Sequence, residues 1–221
     1  MELKQKLGTT FRIHPSCVLL LGWTIWTAAI EPGASLASIG MQVVVTGLVL
    51  VSIVLHEYGH VAAAAWRGIR TRSVVLYPFG GVASLTADPR GPTELWIALA
   101  GPAVNVLIAL ALTPLIKPST IIEYGPYTVL ESVWLANVIL PIFNMLPAYP
   151  MDGGRVLRAL LTIAKVRRPT VIVTTLGIFL SVAMVFYALS HSAPLLTLVG
   201  LFVGFAALQE RKHALIVERG T

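Results

Sequence analysis

The chain has 221 residues, 56% of them hydrophobic and only 12% charged, where a soluble domain carries about 25% charged residues. With a mean hydropathy of +0.81, it is excluded from the ordinary soluble domains and reads as a multi-spanning membrane bundle. The formal net charge of +6 would suit nucleic acid, but the distribution of the basic residues excludes that partner, and the single cysteine, Cys17, excludes an internal disulfide and a Cys-based zinc site.

Met1 to Thr10 is polar and basic, and Phe11-Arg12-Ile13 alternates like a short strand before Pro15. A first apolar span is expected over 16–30, with Cys17 as a small buried residue; it lacks a small-x-small cleavage site and leads straight into more membrane segments. Glu31-Pro32-Gly33 breaks it, and a second span follows over 39–66. Arg70 to Tyr77 reads as a strand, Pro78-Phe79-Gly80-Gly81 as a turn, and Val82 to Leu85 as a returning strand. Its apolar content places this hairpin against or partly in the membrane, with an ordinary surface hairpin as the competing reading. Further spans are expected over 93–116, 127–146, 170–189 and 194–208, the last leading to a charged tail. Arg155 to Arg168 reads as a basic amphipathic helix at the interface. The expected fold class is an all-α polytopic membrane protein. It is a six-transmembrane-helix bundle with a small membrane-associated β-hairpin, in one domain over 1–221. No internal repeat of the kind that marks paired transporter halves is visible.

These spans put all of the 16 basic residues except Lys117 on one side of the membrane. By the positive-inside rule that side, with both termini, is cytoplasmic. The basic excess is topological and suits anionic lipid headgroups rather than nucleic acid.

Within the second span lies Val54-Leu55-His56-Glu57-Tyr58-Gly59-His60-Val61. On a helix His56 and His60 project from one face a turn apart, so both imidazoles can bind one Zn²⁺. Glu57 stands beside them, placed to take a proton from water on the metal. A satisfied, non-catalytic polar cluster is the competing reading. A charged group at a span centre costs roughly 2.5–3.5 kcal/mol, and ionisable groups at membrane depth mark functional sites by default.

A catalytic zinc site takes three protein ligands and a water. By residue type His14, His191 and His213 are candidates, but His191 falls on the far side of the membrane and His213 in the tail. Asp152 is the better choice, because it follows the fourth span on the cytoplasmic side and His60 precedes Arg67 by about 10 Å of helix. Pro147 and Pro150 force the backbone before Asp152 out of regular helix. Its competing role is a cap for the helix that begins near Gly154. Asn105, in Gly101-Pro102-Ala103-Val104-Asn105, reads as a packing contact that can hydrogen-bond across helices.

Together, His56-Glu57-Tyr58-Gly59-His60 and Asn144-x-x-Pro147-x-x-Pro150-x-Asp152-Gly153 resemble the site-2 protease family of intramembrane zinc metalloproteases. Phe79-Gly80-Gly81 and Gly101-Pro102-x-x-Asn105 also match stretches typical of that family, and the resemblance covers about residues 11–160. It implies a six-helix membrane protease with one zinc held by His56, His60 and Asp152, Glu57 as acid/base, and Asn144 near the substrate. The family's frequent PDZ and CBS modules are not in this sequence. The implied substrate is a transmembrane protein, of the type of a membrane-bound anti-sigma factor or transcription-factor precursor, and the implied location is a prokaryotic cytoplasmic membrane.

For the chemistry, Asn144 is a candidate hydrogen-bond donor to the oxyanion or the substrate backbone, or a brace for the loop that presents Asp152. A substrate helix must unwind before attack. Val74, Val75, Leu76 and Tyr77, with Phe79, Gly80 and Gly81, are the expected holders of the extended chain by strand addition. A membrane metal transporter, a zinc hydrolase acting on lipids and an inactive scaffold are the alternatives.

Overall fold

In a computed structural model, the described residues are 3–4, 9–77, 80–116 and 128–219. Pro78 and Phe79 of the expected turn, Lys117, and Tyr127 at the head of the fourth expected span lie outside them. In chain order the elements are β1 (Leu3–Lys4), β2 (Thr10–Ile13), α1 (Ser16–Ile30), α2 (Leu36–Trp66), β3 (Thr71–Tyr77) and β4 (Gly80–Leu85). They are followed by α3 (Pro92–Leu112, prolonged by a 3-10 turn to Leu115), α4 (Val129–Asn144), α5 (Asp152–Ile163), α6 (Pro169–Ser190) and α7 (Pro194–Arg219).

Among the described residues, four helical stretches are long and apolar enough to cross a membrane: Leu36–Trp66, Pro92–Leu115, Pro169–Ser190 and Pro194–Ile216. Helices α1 and α4 are apolar but shorter. The 15 residues of α1 reach about 23 Å at 1.5 Å each, less than a hydrocarbon core of about 30 Å. The expected boundaries hold to within a few residues in most places. At α2 the helix starts three residues early, because Ser35 and Ser38 close a capping box around its first turn. Two expectations are corrected. The charged tail is no separate segment, since α7 runs on through it to Arg219. The basic amphipathic helix spans Asp152–Ile163 rather than 155–168, with Lys165 and Arg168 in left-handed backbone beyond its end.

The chain divides into two units, Met1–Asp88 with Ala100–Pro141, and Pro89–Leu99 with Ile142–Thr221. In the first, the strands form one sheet in the order β1-β2-β3-β4. Strands β3 and β4 pair antiparallel, as the hairpin reading expected, and β2 lies parallel to β3 with Phe11 opposite Val74. A parallel neighbour needs a long crossover, and here α1 and α2 supply it. Gly80 and Gly81 are not in the turn but open β4, opposite Tyr77 and Leu76. The alternation of β3 turns Val74 and Leu76 inward, where they pack with Phe11 on Ile53 and Val61 of α2. The Phe11 ring stacks on Tyr58 with centroids 4.8 Å apart. Each such side chain removed from solvent contributes about 1.5–3 kcal/mol, and the cluster fastens the sheet to the helix that carries His56 and His60.

In the second unit an ion cluster joins the head of α3 to α5 and α7. Arg158 donates from Nε to Glu94 at 2.7 Å and from a terminal nitrogen to Glu210 at 3.3 Å. Glu94 is fully buried and Arg158 nearly so, so this arginine is no solvated member of the basic face. The loop before α5 is tied to α6 by the Tyr149 amide, which donates to the Val173 carbonyl at 3.1 Å. Burial, reinforced by the neighbouring Glu210 carboxylate, raises the Tyr149 hydroxyl above its ordinary range and keeps it a neutral donor.

Candidate metal centre

Helix α2 presents His56 and His60 one turn apart, and both rings are buried together with Glu57. Their Nε2 atoms face each other at 3.1 Å. Two imidazole nitrogens that share a tetrahedral zinc at 2.0–2.1 Å stand about 3.3 Å apart, so the spacing fits the ion. Two lone pairs at that distance repel unless a proton or a cation lies between them. Gly101 of α3 makes the approach possible. A Cβ there would lie 2.7 Å from Nε2 of His56 and closer still to Nε2 of His60.

Beyond the rings, Asn105 is fully buried and its Oδ1 meets Nδ1 of His56. Its own Nδ2 donates to Oδ1 of Asn137 on α4 at 2.8 Å. Asn105 is thus a direct support of a candidate ligand and more than a packing contact. Glu57 is held from the sheet: the amide of Gly81 donates to Oε1 of Glu57 at 2.8 Å. The edge strand therefore rests on the proposed base, and the absence of a side chain at Gly81 leaves the carboxylate its room.

In the second unit Asp152 is buried in the first turn of α5, with the Arg155 guanidinium 4.0 Å from its carboxylate. The helix cap is Met151, with no side-chain capping bond, so Asp152 does not serve as the N-cap that its position in the sequence allowed. Gly153 follows it, also buried. Asn144 is the last residue of α4, half-buried, and Pro147 and Pro150 lie in the non-helical link to α5. The other histidines have local partners or positions. His14 bonds Ser16 and stacks on Tyr77, His191 stacks on Tyr187, and His213 is exposed on α7.

Of the expected substrate-holding residues, Val74 and Leu76 are core, Val74, Val75 and Leu76 are paired with both β2 and β4, and Tyr77 is paired with Gly80 of β4. Among the described residues strand β4 is an edge of the sheet, so Gly80 and Gly81 stand where a further strand can add. Asn137 and Ser52, which support Asn105, were not picked out from the sequence. Their signal was present, since isolated amides and hydroxyls in apolar spans usually bond across helices.

The sequence profile of peptidase family M50 matches residues 44–118 and 113–188. The chain belongs to peptidase family M50. It is 38% identical over 166 residues to a zinc metalloprotease of Methanocaldococcus jannaschii, an alignment that covers 75% of this chain and 48% of that protein. It is 30% identical over 110 residues to stage IV sporulation protein FB of Bacillus subtilis, covering 49% of this chain and 37% of that one. The chain thus spans about half or less of the length of these relatives. Among solved structures, the site-2 protease from Methanocaldococcus jannaschii matches with a TM-score of 0.73 and 33% identity, over 96% of this chain and 94% of that one. This M50 member therefore has the site-2 protease fold, and the cofactor of its family of zinc metalloproteases is zinc, which the paired imidazoles suit.

Proposed function

We propose that this chain is an intramembrane endopeptidase that hydrolyses peptide bonds within or near transmembrane helices of membrane-protein substrates. The observation that carries this reading is the pair of facing imidazole nitrogens beside a buried glutamate, on an apolar helix long enough to cross a membrane. His56 and His60 are two ligands of one zinc and Asp152 is the third. Each is buried and offers an atom that zinc takes, and Asp152 stands in the first turn of α5, one residue past the Met151 cap. When bound there, zinc supplies Lewis-acid chemistry, lowering the pKa of water from 15.7 to about 7 and polarising the scissile carbonyl.

Glu57 is the general base: it accepts the proton of the attacking water and returns it to the leaving amine. The Gly81 amide donates to one of its oxygens, and the other takes that proton. Asn144 bonds the oxyanion or the substrate backbone. The substrate, unwound from its helix, adds as a strand along β4, so helix-weakening Gly, Pro or Asn near the cleaved bond favours turnover. Residues 1–221 act as one protease domain with α1 and α4 as the shorter of six crossings. Both termini are cytoplasmic, in a prokaryotic cytoplasmic membrane. The likeness to a protein named for a sporulation stage supports a membrane-bound regulator as the substrate class.

The test is a panel of transmembrane substrates reconstituted with the protein in liposomes. Glu57→Gln is expected to lower cleavage at least about 100-fold with zinc retained, and Asp152→Ala to weaken zinc binding. Cleavage by Glu57→Gln at the wild-type rate removes Glu57 as the base, and full zinc affinity in Asp152→Ala removes it as a ligand.

A further inference from the structure

We propose that Asn137 is a positioning residue. Acting through Asn105, it fixes His56 in the tautomer whose Nδ1 carries the proton and whose Nε2 is open to the metal. The inference rests on the reading of His56 as a zinc ligand and names a determinant of that site on a different helix.

The direction of every hydrogen bond in this relay follows from its far end. Nδ2 of Asn137 donates to the Val133 carbonyl and to Oγ of Ser52, each at 2.9 Å. A backbone carbonyl can only accept. The Ser52 hydroxyl gives its single proton to the Leu48 carbonyl at 3.1 Å, so its oxygen accepts from Asn137. Both partners therefore demand the amide NH₂ group at this end of Asn137. Its Oδ1 is left facing Asn105, and it accepts from Nδ2 of Asn105 at 2.8 Å. Asn105 must then turn Oδ1 to His56. An amide oxygen cannot donate, so Nδ1 of His56 holds the hydrogen. A neutral imidazole has one N–H, and the lone pair falls on Nε2, the atom that faces His60.

Reversing either amide would set donor against donor or acceptor against acceptor. Asn105 and Asn137 are fully buried and Ser52 nearly so, which leaves no water to repair such a mismatch. The polarity set by two backbone carbonyls, on α2 and α4, is thus transmitted through α3 to the metal face of a histidine. Without Asn137, Asn105 can rotate and offer its NH₂ group to Nδ1, which draws the lone pair to the wrong side of the ring.

Zinc affinity of the full chain in detergent, measured by competition with a chelator, tests this, with the visible spectrum of the Co²⁺-substituted protein as a second readout. Asn137→Leu is expected to weaken zinc about 10- to 100-fold, the range for loss of an outer-shell partner, and to change the Co²⁺ spectrum. Adding Asn105→Asp to Asn137→Leu is expected to restore affinity to within about threefold of wild type, because a carboxylate presents an acceptor to Nδ1 in either rotamer. Wild-type affinity in Asn137→Leu overturns the proposal, as does a double variant that stays as weak as the single one. A merely structural defect predicts the second of these results. Failure of the underlying metal reading looks different, since His56→Ala would then hold zinc as tightly as wild type.

Discussion

Gly81→Ala separates the placement of the base from the integrity of the metal site. The Gly81 amide donates to Glu57 at 2.8 Å, and a Cβ on residue 81 would lie 2.5 Å from Cδ and 2.7 Å from Oε2 of Glu57. Ordinary carbon contacts begin at about 3.5 Å, so the carboxylate must retreat by about 1 Å. It sits at the end of a flexible side chain, so the retreat is taken up by Glu57 while the sheet and α2 stay in place. A displacement of about 1 Å costs on the order of 100-fold in rate, or about 2.7 kcal/mol of barrier. The assay is cleavage of a reconstituted transmembrane substrate, with zinc content by mass spectrometry and thermal unfolding run on the same preparations. Turnover is expected to fall about 100-fold in kcat, with KM, zinc and melting temperature close to wild type. A folded variant that cleaves at the wild-type rate refutes the reasoning. So does a loss confined to KM, which would assign Gly81 to holding substrate alone.

Gly101→Ala acts on the ligands instead of the base: its Cβ would meet both imidazole rings, and zinc content is expected to fall below a tenth of wild type together with activity, an effect the size of losing a ligand or its support. Arg158→Met strands the fully buried Glu94; breaking such a pair from one side costs about 3–5 kcal/mol, read as lowered resistance to thermal unfolding, and Glu94→Gln in the same chain should recover part of it. Phe11→Ala removes the ring stacked on Tyr58 in the core of the sheet and is expected to cost about 3–5 kcal/mol; an unchanged melting temperature would show that the sheet does not depend on this cluster. Stripping zinc with a chelator is expected to abolish cleavage, with recovery when zinc is returned and none in the Glu57→Gln variant.

The paired histidines and their glutamate were legible in the sequence because charge at membrane depth is costly and therefore conspicuous. The same asymmetry explains what was not legible. Glu94 stands at the head of an apolar span and Arg158 on a basic amphipathic helix, both places where charges are ordinarily solvated, so nothing in their spacing announces that they meet inside the protein. Strand β3 was recognisable by its alternation. Its central place in the sheet depends on β2, 63 residues earlier by register, and parallel pairing across two helices leaves no local trace. That one fact puts Val74, Val75 and Leu76 of the expected substrate-holding set inside the sheet and leaves Gly80 and Gly81 of the same set on its outer strand, β4. Asn137 marks the deeper limit. A lone asparagine in a span announces that it will bond something, but the consequence of the bond lies in its direction. Direction is a property of the whole relay: it is set where the chain of donors ends on a carbonyl that cannot donate, and it is felt three residues away in space at His56. Composition and spacing record which groups are present, whereas the protonation pattern that prepares a nitrogen for a metal is decided only when those groups are closed into a network with no water to correct it.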